Sequence, residues 1–244
     1  MTRPIQNCFA RYEKKYFLSP QQQRQLLQAI GSYVKMDFYG RYTISNLYYD
    51  TPDWRLIRAS LEKPVYKEKL RVRSYGVPAP DGKVFAELKK KYDGVVYKRR
   101  ITVPVEDVQP LLTGETPLEA YGQIGREIDW FQKLYRAGPR VFIGYDRIAF
   151  AGVDDPELRI TFDTNIRWRT TRLDLREGDD GAPLLPDDRV LLELKLPGVC
   201  PLWLARALAE AGAVPVSFSK YGSCYCRYLL REQPIATKEA FPCA

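Results

Sequence analysis

The sequence contains no histidine among its 244 residues. Ser-His-Asp and Cys-His catalysis, a His-Glu-x-x-His zinc helix and phosphotransfer through histidine are therefore excluded. The five cysteines are odd in number and include no Cys-x-x-Cys pair, so the sequence indicates neither a disulfide framework nor a zinc site. Any chemistry must use carboxylates, lysine, arginine, tyrosine or a bound metal.

Long hydrophobic runs are also missing. No stretch approaches the roughly 20 apolar residues needed to span a bilayer, and the first residues do not open a signal peptide. We therefore expect a soluble, cytoplasmic protein. Since the sequence shows no internal repeat, low-complexity tract or interdomain linker, residues 1–244 are predicted to form a single domain.

Positive charge exceeds negative charge along the chain. Lysine and arginine number 38 against 30 acidic residues, which gives a formal net charge of +8. This excess favours an anionic partner, such as nucleic acid, a membrane surface, a nucleotide or polyphosphate. Hydrophobic residues make up 45% of the chain, enough to bury a substantial core.

The pattern of turns and periodic segments predicts an α+β fold. The predicted strands cover residues 8–18, 44–49, 67–75, 84–92, 95–103, 141–150, 158–164, 166–171 and 190–196. The predicted helices cover residues 20–33, 54–60, 117–136, 201–211 and 219–231. Ser19-Pro20 predicts a capped helix start, Asp93-Gly94 predicts a tight hairpin, and residues 177–188 are predicted to form a loop.

Several predicted strands alternate an apolar row of side chains with a charged row. The charged rows fall in residues 69–73, 85–89, 98–103, 159–163 and 192–196. Any one row could lie on the solvated face of an ordinary antiparallel sheet. Their recurrence in five segments favours a closed barrel of about eight strands with flanking helices, in which all the rows face one polar interior.

The alternation also predicts which side chains share each charged face. These sets are Arg11, Glu13 and Lys15; Lys69, Arg71 and Arg73; Glu87 and Lys89; Lys98 and Arg100; Tyr145 and Arg147; Arg159 and Asp163; and Glu193 and Lys195. Arg167 and Arg169 could extend the row, but Trp168 between them leaves their face undecided. Pairs such as Arg159 with Asp163 could equally be ordinary ion pairs on a solvated sheet.

Eight short motifs occur in an order that resembles the catalytic domain of the vacuolar transporter chaperone (VTC) proteins. They are Tyr-x-Lys-x-Tyr at 12–16, Lys-Leu-Arg-x-Arg-x-Tyr-Gly at 69–76, Phe-x-Glu-x-Lys at 85–89, Tyr-Lys-Arg-Arg at 97–100, Tyr-Asp-Arg-x-Ala-Phe at 145–150, Leu-Arg-Ile-Thr-Phe-Asp-Thr at 158–164, Leu-Glu-x-Lys-Leu at 192–196 and Phe-Ser-Lys-Tyr-Gly at 218–222. The VTC proteins are polyphosphate polymerases of the triphosphate tunnel metalloenzyme (CYTH-like) superfamily. Each motif is weak alone, but together they span about residues 11–228.

This resemblance implies a Lys- and Arg-lined tunnel in which a nucleoside triphosphate binds with Mn²⁺ or Mg²⁺ and gives its γ-phosphoryl group to a polyphosphate chain. The implied catalytic and phosphate-binding residues are Lys15, Arg71, Arg73, Lys89, Lys98, Tyr145, Arg147, Arg159 and Lys220, with Arg100 and Lys195 as further nucleotide contacts. Glu193 is the implied main metal ligand, with Glu87 or Asp163 nearby. Phosphoryl transfer needs mainly alignment and positive charge, which such residues supply without histidine.

One departure from the superfamily pattern concerns the first strand. Many hydrolytic members open with Glu-x-Glu-x-Lys, whereas here Arg11 occupies the first acidic position. The substitution removes a carboxylate and adds a cation, and it therefore favours a polymerase over a dedicated hydrolase.

Alternative functions remain open at this point. One is hydrolysis of tripolyphosphate or nucleoside triphosphates in the same tunnel, and another is polyphosphate binding without catalysis. Nucleic acid is not an expected partner, because a duplex would not enter such a narrow barrel. Larger relatives carry a phosphate-sensing domain and membrane helices that this sequence lacks, so the expected forms are a free-standing protein or one working with separate membrane subunits. The oligomeric state is left open.

Overall fold

Nine strands and six α-helices make up the computed structural model, which describes residues 12–93, 95–185 and 188–230. The strands are β1 (Tyr12–Leu18), β2 (Val34–Asp50), β3 (Tyr66–Tyr75), β4 (Lys83–Tyr92), β5 (Val95–Pro104), β6 (Gly138–Gly152), β7 (Arg159–Arg169), β8 (Ala182–Pro183) and β9 (Val190–Leu196). The α-helices are α1 (Pro20–Ile30), α2 (Arg55–Leu61), α3 (Val108–Thr113), α4 (Gly122–Tyr135), α5 (Leu202–Glu210) and α6 (Lys220–Cys224). A 3₁₀ turn precedes α4, and a π-helical turn, Tyr225–Leu229, follows α6. The α+β class is confirmed.

All strands join one antiparallel sheet in the order β1-β9-β7-β6-β2-β3-β4-β5, with β8 added beside β7. Within the described residues no pairing joins β1 to β5, so the closed barrel predicted from the sequence is not what the backbone hydrogen bonds form. Instead, a charged side chain of β1 lies near one of β4 across the gap between the two ends of the sheet. Burial lowers the pKa of Lys89 in β4, and the nearby Glu13 carboxylate of β1 partly opposes that shift.

The apolar row of each strand faces outward, against helices. Leu70 and Leu88 pack with Ile128 and Phe131 of α4, and on the other half of the sheet Leu192 packs under α1 and α5. Burying such side chains contributes about 1.5–3 kcal/mol each. Because these rows face outward, the alternate rows with the charged side chains lie on the opposite, concave side of the sheet, which we call the inner face.

Part of the inner face is covered by the C-terminal helix. Tyr221 of α6 is 2% exposed and stacks on Tyr48 with ring centroids 4.6 Å apart. Its hydroxyl donates to Asp50 at 2.7 Å, and Asp50 also accepts the backbone N–H groups of Leu56 and Ile57 in α2. The carboxylate therefore ties the ends of β2, α2 and α6 together.

The element bounds agree with the sequence where local signals are strong. Ser19 forms a capping box with Gln22 at the start of α1, and β4 and β5 form the predicted hairpin, although Gly94 itself lies outside the described residues. The two strands predicted at 158–164 and 166–171 are one strand, β7. Asn165, at a φ of 48°, lies at its register shift against β6.

Other bounds differ from the predicted ones. β2 begins ten residues before the predicted 44, since a bulge between Met36 and Arg41 hides its alternation. The predicted start of β1 and Arg11 lie outside the described residues. None of the helices in the described part of the chain is long and apolar enough to cross a membrane.

Candidate active site

The strand registers set cations directly opposite one another on the inner face. Lys69 of β3 pairs with Lys89 of β4, which pairs in turn with Lys98 of β5. One step along the strands, Arg71 pairs with Glu87. Like charges directly opposite destabilise a sheet, so the lysine row favours a bound anion between its members.

Glu87 is the acidic centre of this part of the site, and it is 1% exposed. Arg71 binds its Oε2 through Nε at 2.8 Å and Nη2 at 2.7 Å, while Lys98 Nζ lies 2.8 Å from Oε1 and Arg73 Nη1 3.8 Å from Oε2. We call these four residues the Glu87 cluster. Burial alone would raise the pKa of Glu87, but the surrounding cations lower it to about 2.

Neighbouring polar side chains hold the two arginines in place. Arg73 Nε donates to the side-chain amide oxygen Oδ1 of Asn46 at 2.9 Å, and Arg73 Nη2 donates to the Tyr145 hydroxyl at 3.5 Å. Arg71 Nη1 donates to the Tyr48 hydroxyl at 3.3 Å. Burial would raise the pKa of Tyr48, but the adjacent Arg71 guanidinium brings it below its usual value.

The lysines of the row are held in an unfavourable setting. Burial lowers the pKa of Lys69 to about 8, and it lowers that of Lys98 to about 8 although Glu87 opposes the shift. In both lysines burial, which disfavours the charged form, outweighs the effect of nearby groups that favour it. A bound phosphate would supply negative charge that favours the charged form.

A second group of charges lies on β1, β6, β7 and β9. Lys15 Nζ is 3.0 Å from Glu13 Oε1 and 3.1 Å from Glu193 Oε1, and Arg147 Nη2 is 3.0 Å from Glu193 Oε2. Burial would raise the pKa of Glu193, but Lys220, Lys15 and Arg147 hold it well below its ordinary value.

Asp163 completes this second group and is fully buried. Arg147 binds it in a bidentate way, Nε to Oδ1 at 2.6 Å and Nη2 to Oδ2 at 2.8 Å, and Lys220 Nζ lies 2.6 Å from Oδ2. We call the six residues Glu13, Lys15, Arg147, Asp163, Glu193 and Lys220 the Glu193 cluster. Burial would lower the pKa of Lys220, but Asp163 and its neighbours raise it, so this ammonium stays charged.

Three more predicted residues lie on or beside these clusters. Tyr145 is 3% exposed, and its ring lies under the Arg147 guanidinium at 5.2 Å and the Lys220 ammonium at 4.3 Å. Arg159 and Lys195 pair with each other at the outer end of β7 and β9, one step beyond Glu193. Within the described residues, the predicted site residues therefore lie at one inner face, either in one of the two clusters or beside them.

Arg167 and Arg169, whose face the sequence left undecided, have structural partners. Arg167 binds Asp146 at 3.2 Å and Asp179 at 2.7 Å, and Arg169 donates to the Gly178 carbonyl at 3.0 Å. Both arginines therefore hold residues of the loop that follows β7, part of the loop predicted at residues 177–188.

Asn46 and Tyr48 are site residues that the sequence reading missed. Both lie on the inner face of β2, opposite Arg73 and Arg71. The available signal was an asparagine in the predicted strand at 44–49, because a buried amide needs a polar partner.

The three carboxylates predicted as metal ligands do not come together. Across the described ranges no group of three or more His, Cys, Asp or Glu side chains is placed to hold a metal. Glu87 and Asp163 are almost fully buried, at 1% and 0% exposed, and cations bind both of them. Glu193 and Glu13 are more accessible, with side chains 12% and 38% exposed, and both contact Lys15. They fit the usual Mg²⁺ arrangement of one or two carboxylates completed by substrate phosphates.

Comparison with solved structures gives relatives of low sequence identity. A candidate adenylyl cyclase from Hippeastrum, described as having a dominant triphosphatase activity, is 17% identical with a TM-score of 0.52 over 86% of this chain and 92% of that one. A candidate adenylate cyclase from Vibrio parahaemolyticus is 15% identical with a TM-score of 0.47 over 89% of this chain and 98% of that one. The first of these likenesses supports a shared fold.

Sequence comparison gives the family. No curated protein sequence matches the chain. The family model of the VTC domain matches residues 10–229, nearly the whole length, and this match confirms the resemblance carried by the eight motifs. The chain therefore belongs to the VTC domain family.

Proposed function

We propose that the protein is a metal-dependent phosphotransferase that moves the γ-phosphoryl group of a nucleoside triphosphate onto a polyphosphate chain. The observation that carries this proposal is the row of Lys69, Lys89 and Lys98, directly opposite one another on three strands. Such a row is unfavourable in an empty sheet and favourable around a chain of phosphates. Arg71 and Arg73 extend it along β3.

The roles follow from the chemistry of each side chain. Arg71 and Arg73 offer planar guanidinium groups that suit bidentate phosphate contacts, while the lysines act as point charges. Because they are fixed by Glu87, Asn46 and Tyr48, the arginines can stabilise charge on the transferred group without rearranging. Transfer asks the protein mainly for this alignment, so a histidine base is not needed.

The divalent metal would be held by Glu193 with Glu13. When bound there, Mg²⁺ or Mn²⁺ would supply positive charge that offsets the charge of the substrate phosphates. Lys15 contacts both carboxylates and Arg147 contacts Glu193, and these ion pairs orient the two side chains. Lys220, through Asp163, holds Arg147 in position.

Hydrolysis of a triphosphate is the second candidate function. The observation that favours it is the retained pair of Glu13 and Glu193 on one cation, since an acidic pair of this kind can hold a metal and a water as readily as a metal and an acceptor phosphate.

Incubating the purified protein with ATP and Mn²⁺, and sizing any polyphosphate on a gel, separates the candidates. Polymer that lengthens with time supports the transferase, and orthophosphate alone supports the hydrolase. Salt-sensitive polyphosphate binding without turnover would contradict both and indicate a binding module.

Variants test the residue assignment. Arg73→Ala is expected to lower kcat about 10²- to 10³-fold, the usual effect of removing one fixed donor. Arg41→Ala, an exposed arginine paired with Asp146 outside both clusters, is the matched control and should keep full activity. Full activity in Arg73→Ala or Glu193→Ala would overturn the assignment.

A further inference from the structure

Five aromatic side chains form a continuous line from the bulge of β2 to the inner face. Neighbouring ring centroids lie 5.7 Å apart for Phe38 and Tyr39, 6.1 Å for Tyr39 and Tyr42, 5.9 Å for Tyr42 and Tyr75, and 5.8 Å for Tyr75 and Phe85. We call this line the aromatic strip. Its members come from three strands that are adjacent in the sheet.

The aromatic strip is open to solvent. Phe38 is 97% exposed, Tyr39 74% and Tyr75 52%, whereas Tyr221 of α6 is 2% exposed. A contiguous exposed apolar patch on a soluble domain commonly marks a binding surface. At least three of the five rings are therefore accessible to a ligand.

The aromatic strip runs directly into the cations of the proposed phosphate site. Tyr75 follows Arg73 by one same-face step on β3, about 7 Å. Phe85 pairs with Arg73, and the Arg100 guanidinium lies 4.6 Å over the Phe85 ring. Tyr42 pairs with Arg147 on the other side of β2.

This arrangement fits a molecule with an anionic end and a flat aromatic end. Inorganic polyphosphate has no aromatic part, so it has no use for the rings. A nucleoside triphosphate has both parts, and a ribose can bridge the step between Arg73 and Tyr75.

We infer that the aromatic strip binds the base of the nucleoside triphosphate by stacking, chiefly on Tyr75. The inference rests on the proposed function. It sets the direction of the substrate, with the base at Tyr75 and the phosphates running along β3 towards Lys69. Because every base has a π-face, such a site tolerates different bases.

The test is calorimetric titration of the full chain with ATP and, separately, with inorganic tripolyphosphate, both without divalent metal so that no turnover occurs. Tyr75→Ala is expected to raise the Kd for ATP roughly 5- to 100-fold, the range for loss of one stacked base. The Kd for tripolyphosphate should change less than about twofold, and Tyr75→Phe, which keeps the ring, should restore ATP affinity.

The matched control is Tyr92→Ala, an equally exposed tyrosine at 57% on the opposite face of the sheet, which should change neither affinity. Unchanged ATP affinity in Tyr75→Ala, or equal loss for both ligands, would overturn the inference alone. A wild-type protein that binds neither ligand would overturn the proposed function as well. A wild-type dimer that Tyr75→Ala dissociates, seen by light scattering, would assign the aromatic strip to a second copy and overturn the inference.

Discussion

The two clusters of the inner face differ in their balance of charge. The Glu87 cluster sets three cations around one carboxylate, and the adjoining Lys69 and Lys89 add to the excess. The Glu193 cluster sets three cations among three carboxylates. One region is therefore built to attract anions, while the other is close to neutral.

Under the proposed function, this difference would let one surface bind phosphate and metal at once. Where cations exceed carboxylates, folding leaves electrostatic strain that a phosphate chain relieves. Where the two balance, the partly exposed Glu13 and Glu193 can exchange a lysine contact for a divalent ion without leaving a large uncompensated charge.

The largest effect that would sharpen this comparison is expected from Glu87→Gln. Removing the Glu87 carboxylate leaves Arg71, Arg73 and Lys98 without a counter-charge, so the free energy of unfolding in urea should fall by about 3–5 kcal/mol. Added tripolyphosphate should restore more stability in this variant than in the wild type, because it replaces the missing anion.

The control for this prediction is Glu127→Gln. Glu127 pairs with Lys90 and Arg99 on the outer face, where the expected loss is below about 1 kcal/mol. A Glu87→Gln protein as stable as the control would contradict the view that this cluster is held together by one acid.

The second-largest expected difference between the clusters is in metal affinity. Glu193→Gln is expected to weaken Mn²⁺ binding at least 10- to 100-fold, the range seen when even a supporting group of a metal site is lost. Glu87→Gln should leave it nearly unchanged, since cations enclose that carboxylate. Free Mn²⁺ measured by electron paramagnetic resonance, with tripolyphosphate present, gives the comparison. The reverse order would exchange the roles of the two clusters.

A pH dependence should distinguish the clusters by a smaller effect. Burial lowers the pKa of Lys69 to about 8, whereas Lys15 and Lys220 have raised pKa values and stay charged. A phosphate favours the charged ammonium, so tripolyphosphate affinity should fall as the pH rises through about 8, by up to tenfold per unit for each lysine that titrates.

The folding stability of the protein without ligand should depend on pH with the opposite sign. Because the folded pKa of Lys69 lies below its unfolded value, the unfolded chain binds more protons between about pH 8 and 10.5, and stability rises with pH in that window. Calorimetry at pH 8 in two buffers of different ionisation enthalpy measures the proton uptake on binding. The Lys69→Met variant should take up fewer protons on binding tripolyphosphate. The Lys14→Met variant, changed on the outer face of β1, should take up as many as the wild type.

The smallest effect is expected at the outer end of the Glu193 cluster. Lys195 pairs with Glu13 and Arg159 near the end of the sheet, where charges are solvated. Lys195→Ala should therefore change tripolyphosphate affinity by less than about fivefold. If Lys195→Ala weakened tripolyphosphate binding as much as Arg73→Ala does in the same measurement, the phosphate site would extend to the Glu193 cluster.

Local signals predicted much of the fold. Ser19-Pro20 begins α1 as expected, β9 has its predicted bounds, and the alternation placed Lys69, Arg71 and Arg73 on one face. Period-two alternation depends only on the geometry of a single strand, which explains why it was reliable. The prediction failed where the strand was irregular, at the bulge of β2 and at the shift within β7.

Long-range features could not be obtained in this way. The sequence favoured a closed barrel, but whether β1 and β5 exchange hydrogen bonds depends on how the whole sheet curves. It grouped Glu87, Asp163 and Glu193 as metal ligands, although the registers give Glu87 to one cluster and the other two to the second. No local sequence pattern could predict that the rings of Tyr42, Tyr75 and Phe85 are neighbours, because these residues lie on different strands.

By itself, the sequence determined that this protein works without histidine, that its strands carry one charged face each, and that its motifs follow the VTC order. The tertiary structure decided which carboxylate each cation contacts. Lys15 meets the carbonyl of Phe218, 203 residues away, and Glu193 shares Arg147 with Asp163. Such pairings depend on strand register and sheet curvature, which arise from the packing of the entire chain rather than from any segment of it.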